Sequence, residues 1–463
     1  MHPSSDKIPV TQLSDPPLPG NGKFHVRLVE GFYQNLRRLI SWPLIGLFFG
    51  LGWVRIDGQP LVMFDFAAHR IFLFGAELSW YDLPILAGLM IAGASLLFFM
   101  AVGWGRVWCG FACPQSIWTW IFIRIEQFTE GRASQRAKQD AQSFTPLRLL
   151  RRGLKHLIWL LVALITALSF SAYFVPIETL LSDLIHARAS WFSISWLTVM
   201  TLLTYLNAGL VREKVCLHMC PYSRFQGVMF DPDTRTVSYD QQRGEPRRDK
   251  HHPQSAEGDC VDCGICVQVC PTGIDIRNGL QAACIDCAAC IDACDQVMDK
   301  LGRDRGLIGF YSEQQLNTTM LPRQEEHSPM LRPRLLGYLS VLVVTLWAVV
   351  YGLGQRTDLL IEIARERGEL YQMEGNRICN RYRVELERFN PDLKQLQLAV
   401  RTAEPGLNLT VSGPLLIDLQ PGNRVIHYQL CSQKAPMQSR NQIHFEFNQA
   451  GFIASKESTF LAP

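Results

Sequence analysis

Four stretches of the chain, residues 83–103, 157–177, 190–211 and 335–355, hold no charged side chain and are apolar almost throughout. Each is ~21 residues long, and about 20 helical residues are needed to cross a hydrocarbon core of about 30 Å. They predict transmembrane helices. A fifth run, 39–54, has 16 residues, contains Pro43 and three glycines, and is bracketed by Arg38 and Arg55. The bracketing favours a short fifth span over a buried soluble helix. From about residue 372 the pattern changes to short alternating strands, at 381–388, 395–401, 407–412, 415–419, 424–430 and 442–447. Turn residues such as Asn390-Pro391, Pro405-Gly406, Gly413-Pro414 and Pro421-Gly422 separate them. This spacing predicts a β-sandwich of about 90 residues, immunoglobulin-like in size. The Arg- and Glu-rich segment 356–371 reads as a continuation of the last helix. Residues 1–22 hold five prolines and no apolar stretch of the signal-peptide kind, so they read as a disordered tail.

Orientation follows from the basic residues, which concentrate on the cytoplasmic side of membrane proteins. Nine Lys and Arg lie in 104–156, whereas 55–82 holds only Arg55 and Arg70, and 178–189 only Arg188. Five spans then place the N-terminus, 104–156 and 212–334 in the cytoplasm and everything after 355 on the opposite side. Across the whole chain the formal charge is only +3, which gives a nucleic-acid partner no electrostatic support. Charged residues are 19% of the total, below the quarter or so usual in soluble chains, which agrees with a membrane domain.

Twelve of the fourteen cysteines fall between Cys109 and Cys294. Cys260, Cys263, Cys266 and Cys270 are separated by two, two and three residues, and Pro271 follows; Cys284, Cys287, Cys290 and Cys294 repeat the spacing. This is the run of bacterial ferredoxins with two clusters, in which the fourth cysteine of each run serves the other cluster. Cys260, Cys263, Cys266 and Cys294 should hold one [4Fe–4S] cluster, and Cys284, Cys287, Cys290 and Cys270 the second. Zinc is the competing reading, but four-cysteine zinc sites usually join two separate CxxC units. Between 257 and 299 there are eight acids and one base, Arg277. They serve either as a solubilising surface or as a docking face for a basic electron donor.

Two further pairs, Cys109 with Cys113-Pro114 and Cys216 with Cys220-Pro221, recur 107 residues apart, each just after an apolar run. Proline suits the first position of a helix and disfavours a helical residue before it, so Cys113 and Cys220 should sit in breaks ahead of helices near 115–128 and 222–230. Thiols at helix N-termini have lowered pKa values, and four soft thiolates from two equivalent breaks suit Cu(I), Zn or iron–sulfur iron. Unpaired packing cysteines are the alternative. His218 and Met219 lie within the second pair as possible additional ligands or as lining. The spans lack the paired histidines of an intramembrane haem site.

The cysteine runs from Cys260 and Cys284, the Trp-Cys-Gly-Phe-Ala-Cys-Pro-Gln segment ending at Gln115 and the Cys-Leu-His-Met-Cys-Pro-Tyr-Ser-Arg-Phe-Gln segment ending at Gln226 resemble the cytochrome c oxidase accessory proteins of the FixG/RdxA/CcoG type. The resemblance covers about residues 30–463. It implies a membrane-bound copper reductase that passes electrons through two [4Fe–4S] clusters, converts Cu(II) to Cu(I), and serves assembly of cbb3-type oxidase; by their position Cys109, Cys113, Cys216 and Cys220 are the candidate copper-handling residues. The implied partners are the membrane, a cytoplasmic electron donor, copper, and oxidase-assembly or copper-delivery proteins. The implied location is the bacterial inner membrane, with the ferredoxin module cytoplasmic and an immunoglobulin-like C-terminal domain periplasmic. Quinol-linked electron transfer and a redox-sensing assembly scaffold are the alternatives.

The expected organisation is therefore multidomain: a disordered tail at 1–35, membrane hairpin repeats at 36–230, a linker at 231–256, a two-cluster ferredoxin module at 257–300, a connector at 301–334, a last span at 335–355 and a β-sandwich at 356–463. Cys379 and Cys431 are the only cysteines beyond the last span. In an oxidising compartment they are expected to form a disulfide.

Overall fold

The computed structural model describes residues 25–463 apart from 57, 67–69, 80–81, 141, 143–144, 248–257, 318–331, 356–357, 367–369, 376, 391–392, 403–407, 420–421, 434–438 and 450–451. The chain forms two compact units, residues 1–64 with 87–349, and 65–86 with 350–463.

In the first unit the helices are α1 (Phe32–Leu51), α2 (Leu83–Trp104), α3 (Val107–Phe111), α4 (Pro114–Glu130), α5 (Ala133–Asp140), α6 (Pro146–Ser171), α7 (Ile177–Ile185), α8 (Trp191–Tyr205) and α9 (Pro221–Met229). Among the described residues four helices are long and apolar enough to cross a membrane: α2, α6, α8 with its π-helical extension to Val211, and the last helix, Pro333–Gly354. Large apolar side chains stay exposed on them, including Met90 at 71% and Trp347 at 67%, as a lipid-facing surface requires. The expected fifth span is the C-terminal part of α1, whose helix starts seven residues earlier than the apolar run. The third span also begins earlier, because Thr145 caps α6 by accepting from Arg148 N and Pro146 takes the first helical position. It stops at Ser171, and the expected loop 178–189 contains α7.

Aromatic packing holds α4, α6 and the extension of α8 together. The Trp159 indole donates to Phe122 O at 3.1 Å and stacks on the Phe122 ring at 5.3 Å. A Cβ on Gly209 would lie 3.0 Å from Trp159, so a side chain at position 209 would press on the indole. Above this core Glu126 receives Arg136 at 2.7 Å and Arg212 at 3.0 Å, with Lys155 at 3.9 Å. Burial works against this carboxylate, yet the three cations prevail and hold its pKa below the usual range.

Several expected boundaries change. Residues 1–24 of the expected tail lie outside the described residues, but 25–35 are ordered: Arg27 N donates to Gln268 O at 2.9 Å, and His25 meets Asp140 at 2.9 Å. The expected linker and connector are not spacers over their described parts. Thr236–Tyr239 pairs antiparallel with Ile308–Tyr311, and the two strands clasp the cysteine-rich segment. They pair because Val237, Tyr239, Leu307 and Ile308 bury apolar surface against Ile274, Ile276 and Met298.

In the second unit two sheets pack face to face. One has the order Leu409–Ser412, Gly422–Ser432, Arg377–Arg388, Leu359–Arg365, with Gln372–Glu374 also on Arg377–Arg388; the other has Leu416–Asp418, Gln395–Thr402, Arg440–Gln449, Phe452–Leu461. Inward residues alternate along each strand, and Tyr382, Val384, Leu386, Phe445, Phe447 and Phe460 are fully buried between the sheets. This is the expected sandwich. The expected helical continuation over 356–371 is overturned: Leu359–Arg365 is a strand paired with Arg377–Arg388, and its Leu359 and Ile361 fill the core. The charged residues dominated that reading, whereas the buried alternation at 359 and 361 decides the outcome. Cys379 lies inside a strand, directly opposite Cys431, and the two form a disulfide with Cα atoms 4.1 Å apart. The expected loop 55–82 contributes a hairpin, Arg70–Leu73 with Ala76–Ser79, whose Arg70 reaches Glu387 at 3.4 Å and covers the Phe389 ring.

Candidate electron-transfer site

The two cysteine runs fold as copies of one turn. Asp262 and Asp286, each just before the second cysteine of its run, have φ of 49°, and the residues just after that cysteine, Gly264 and Ala288, have φ of 68° and 55°. Left-handed backbone on both sides of Cys263 and of Cys287 curls each loop around a common centre. For a non-glycine residue this costs about 1–2 kcal/mol, so the packing must hold it. A helix begins inside each run, Ile265–Gln268 carrying Cys266 and Ala289–Leu301 carrying Cys290 and Cys294.

The loops enclose two cavities. One is lined by Cys260, Cys263, Cys266 and Cys294 with Tyr239, Val297 and Leu307. The other is lined by Cys270, Cys284, Cys287 and Cys290, with Cys266 at the boundary and Ile274, Ile276 and Ala288 around it. Each cavity thus receives three cysteines from one run and the last cysteine of the other. Among the described residues, the three potential metal-binding atoms that lie within 4.8 Å of one another belong to Glu374, Cys379 and Cys431, and the last two are joined as a disulfide. A tetrahedral zinc with Zn–S of about 2.3 Å needs sulfurs about 3.8 Å apart. The wider spread in both cavities does not suit zinc and suits a cluster with four irons between the sulfurs. Burial pushes the thiols of Cys266 and Cys287 up to about 11 and that of Cys294 up to about 12, and carries Cys284 and Cys290 upward as well. Thiolates in these walls therefore need the positive charge of bound metal.

Several acids of this segment are held within the fold. Asp286 is 1% exposed and accepts from Arg106 N at 2.8 Å and Val237 N at 3.1 Å. Asp292 accepts from Tyr33 N at 3.1 Å and Gln34 N at 2.8 Å, capping α1 from another element. Asp262 and Asp275 pair with Arg277, and Asp259 with Arg243 and Arg303. Asp286 and Asp292 are thus buried parts of the fold, whereas Asp262 and Asp299 stay exposed.

At the membrane edge Cys113 and Cys220 are the N-caps of α4 and α9, in extended conformation, with Pro114 and Pro221 at the first helical position. Cys109 sits in α3 and Cys216 in the π-helical turn Val215–Met219. The two motifs are fastened together. Cys109 Sγ lies 3.3 Å from Gln226 Oε1 on α9, Gln226 Nε2 donates to Gly105 O at 3.3 Å, and Arg106 donates to Ser223 O at 2.7 Å. At Cys109, Cys113 and Cys216 the shift is opposite to the expected lowering. Burial pushes Cys109 up to about 12 and Cys216 up to about 11, reinforced by the neighbouring thiols and opposed by Arg106. For Cys113 burial outweighs the hydrogen bonds from the Ser116 and Gln115 backbone at the start of α4. Desolvation exceeds the helix-terminus effect at the first break. His218 and Met219 lie in the same turn and are exposed.

The membrane-edge turn lies against the second cavity. A Cβ on Gly110 would stand 2.7 Å from Ile285 O and 2.8 Å from Cys287 Cα. Arg106 donates to Cys284 O at 3.1 Å and also to Ala282 O, while Gln34 of α1 donates to Cys287 O at 2.9 Å. Sequence reasoning passed over Arg106, Gly110, Gln226 and Asp292. Only the repeated Cys-x-Asp-Cys at 260–263 and 284–287 signalled a special aspartate.

Apolar helices joined to two cysteine-lined cavities define a membrane iron–sulfur electron-transfer protein. Residues 211–313 match the 4Fe-4S dicluster domain, which gives the chain two [4Fe–4S] clusters, and residues 349–463 match the IG-like fold at the C-terminus of FixG. The chain is 36% identical to protein RdxB of Cereibacter sphaeroides over 414 residues, 86% of each chain. It is 33% identical to protein RdxA of the same organism over 406 residues, 85% of each chain. It is also 31% identical to nitrogen fixation protein FixG of Rhizobium meliloti over 427 residues, 84% of this chain and 81% of the other. A crystal structure of a FixG-related protein from Vibrio parahaemolyticus aligns over 23% of this chain and 96% of its own, with 18% identity and a TM-score of 0.21. The chain belongs to the family of FixG, RdxA and RdxB.

Proposed function

We propose that this protein passes electrons from the cytoplasm through its two clusters to the membrane-edge cysteines, where Cu(II) is reduced to Cu(I) for assembly of cbb3-type cytochrome c oxidase. Cys260, Cys263, Cys266 and Cys294 hold one cluster, and Cys284, Cys287, Cys290 and Cys270 the other. Each turnover moves one electron from a reduced cluster to one bound Cu(II), and Cu(I) leaves as product.

The observation that carries this reading is the close approach of Gly110, between Cys109 and Cys113, to the loop around Cys287. The backbone of the membrane-edge motif is in direct contact with a cluster-binding turn, and no intervening element lengthens the electron path. Thiolates favour Cu(I) over harder ions, so Cys109, Cys113, Cys216 and Cys220 are suited to the product state. No three of their sulfurs lie within 4.8 Å of one another, which suits transient handling of copper as a substrate better than a rigid storage site. The basic residues of 104–156 support placing the ferredoxin side in the cytoplasm and, across the last helix, the sandwich in the periplasm of the inner membrane.

The test is anaerobic purification with iron, sulfide and copper analysis, followed by Cu(II) reduction by the chemically reduced protein. Cu(I) should form in proportion to the reduced clusters. Intact, reduced clusters that leave Cu(II) unchanged would rule the reading out.

A further inference from the structure

A cavity of about 880 Å³ lies where α4, α5 and α6 meet the loop Gly264–Gly273 of the ferredoxin module. Its size falls within the range of about 300–1,000 Å³ typical of small-molecule sites. One wall is Pro271, Thr272 and Gly273, immediately after Cys270. The Thr272 hydroxyl is 3.2 Å from Cys270 Sγ, and Cys270 also lines the second cysteine cavity. A molecule in this cavity is therefore separated from a cluster ligand by one or two residues of chain.

The rest of the lining is charged. Seven Lys and Arg face four Asp and Glu. Arg136, only 3% exposed, gives Nη1 to Glu126 at 2.7 Å, while its buried Nε has no hydrogen-bond partner. Arg151 and Lys214 are exposed lining residues that form no ion pair among the described residues. A lining of seven cations against four acids, two of the cations exposed and unpaired among the described residues, suits an anion from outside the chain.

We propose that this cavity is the electron-entry site and takes reduced flavin mononucleotide, a phosphate-bearing flavin; the proposal rests on the reading that the clusters carry electrons. Iron–sulfur clusters accept electrons singly, whereas nicotinamide delivers a hydride, so a flavin, which releases electrons one at a time, matches the acceptor. The phosphate matches the excess cations, which a neutral quinol would leave unsatisfied. In the step, one dihydroflavin loses two electrons and two protons. Each electron reduces one oxidised cluster, the protons pass to solvent through the open side of the cavity, and oxidised flavin departs.

The test uses anaerobically purified full-length protein in detergent with both clusters loaded. Binding of flavin mononucleotide and of riboflavin is read by fluorescence quenching, and cluster reduction by the reduced nucleotide is read by bleaching of the cluster absorbance. The nucleotide should bind roughly tenfold or more tighter than riboflavin, as expected for charge-assisted phosphate contacts. The double variant Arg151→Glu with Lys214→Glu should remove that preference, and cluster reduction by dithionite serves as the control for folding. Equal affinity for the two flavins, no nucleotide binding to cluster-loaded protein, or an unchanged preference in the double variant would overturn the proposal. So would reduction by a soluble menaquinol analogue that excess nucleotide does not block. Cu(II) reduction by dithionite-reduced protein, measured in parallel, reports on the downstream reading alone, so failure of one is separable from failure of the other.

Discussion

Gly110 and Cys287 approach so closely that a Cβ on the glycine would lie 2.8 Å from the cysteine Cα. The contact joins a turn at the membrane edge to a turn around a cluster cavity, 177 positions apart in the chain. Gly110→Ala should force the two turns apart, at a cost of about 1–3 kcal/mol typical of overpacking. We expect iron content to persist while Cu(II) reduction by the prereduced protein slows. An unchanged rate would show that this contact is not on the electron path.

Replacing Cys263 or Cys287 with Ser removes one ligand from a different cavity in each case. Two cubanes require about eight iron atoms per chain. Each variant should fall below that, measured by iron and sulfide analysis. Because each run contributes a cysteine to the other cavity, the loss should exceed one iron and can reach the whole module. Full iron content in both variants would refute the ligand assignment.

Changing Cys109 and Cys113 together to Ala leaves both cluster cavities untouched. The cluster absorbance should stay at its wild-type level and Cu(II) reduction should be lost. A double variant that reduces copper at the wild-type rate would make the pair packing residues only.

Cys379 and Cys431 close a loop across 52 positions in the sandwich. On the chain-entropy model such a bridge contributes roughly 4 kcal/mol. Alkylation of denatured, non-reduced protein should leave both residues unlabelled, with labelling after reductant is added. The Cys379→Ala and Cys431→Ala double variant should lower the melting temperature of the sandwich without changing iron content.

Glu126→Gln would leave Arg136, Lys155 and Arg212 facing an uncharged group. Breaking a buried ion pair from one side typically costs about 3–5 kcal/mol, and the variant should unfold at correspondingly lower denaturant. The pH dependence follows from the lowered carboxylate. Its stabilisation is fully present above the ordinary carboxylate range of about 4 and is lost as pH falls through the lower folded-state value. Wild-type stability should therefore decline in acid, and the variant should show less of that decline.

Much of this protein was legible along the chain because its signals are local. Runs of uncharged apolar residues specify helices that only lipid can solvate, two identical cysteine spacings specify two clusters, and proline after Cys113 and Cys220 fixes the helix breaks through its own ring. Alternation of apolar residues marked the sandwich, and its two cysteines, the only ones beyond the last apolar run, suggested the disulfide. What the chain concealed depends on partners distant in sequence. Leu359–Arg365 is a strand because Arg377–Arg388 offers it an edge and the core accepts Leu359 and Ile361. The acids at 286 and 292 look like surface charge until Arg106, Val237 and the start of α1 supply the donors that bury them. The thiols at the first break look activated until tertiary packing removes their water, and desolvation then outweighs the nearby helix terminus. Composition and spacing determine which chemistry the chain can hold; burial and long-range contact decide which groups stay charged and which loops meet.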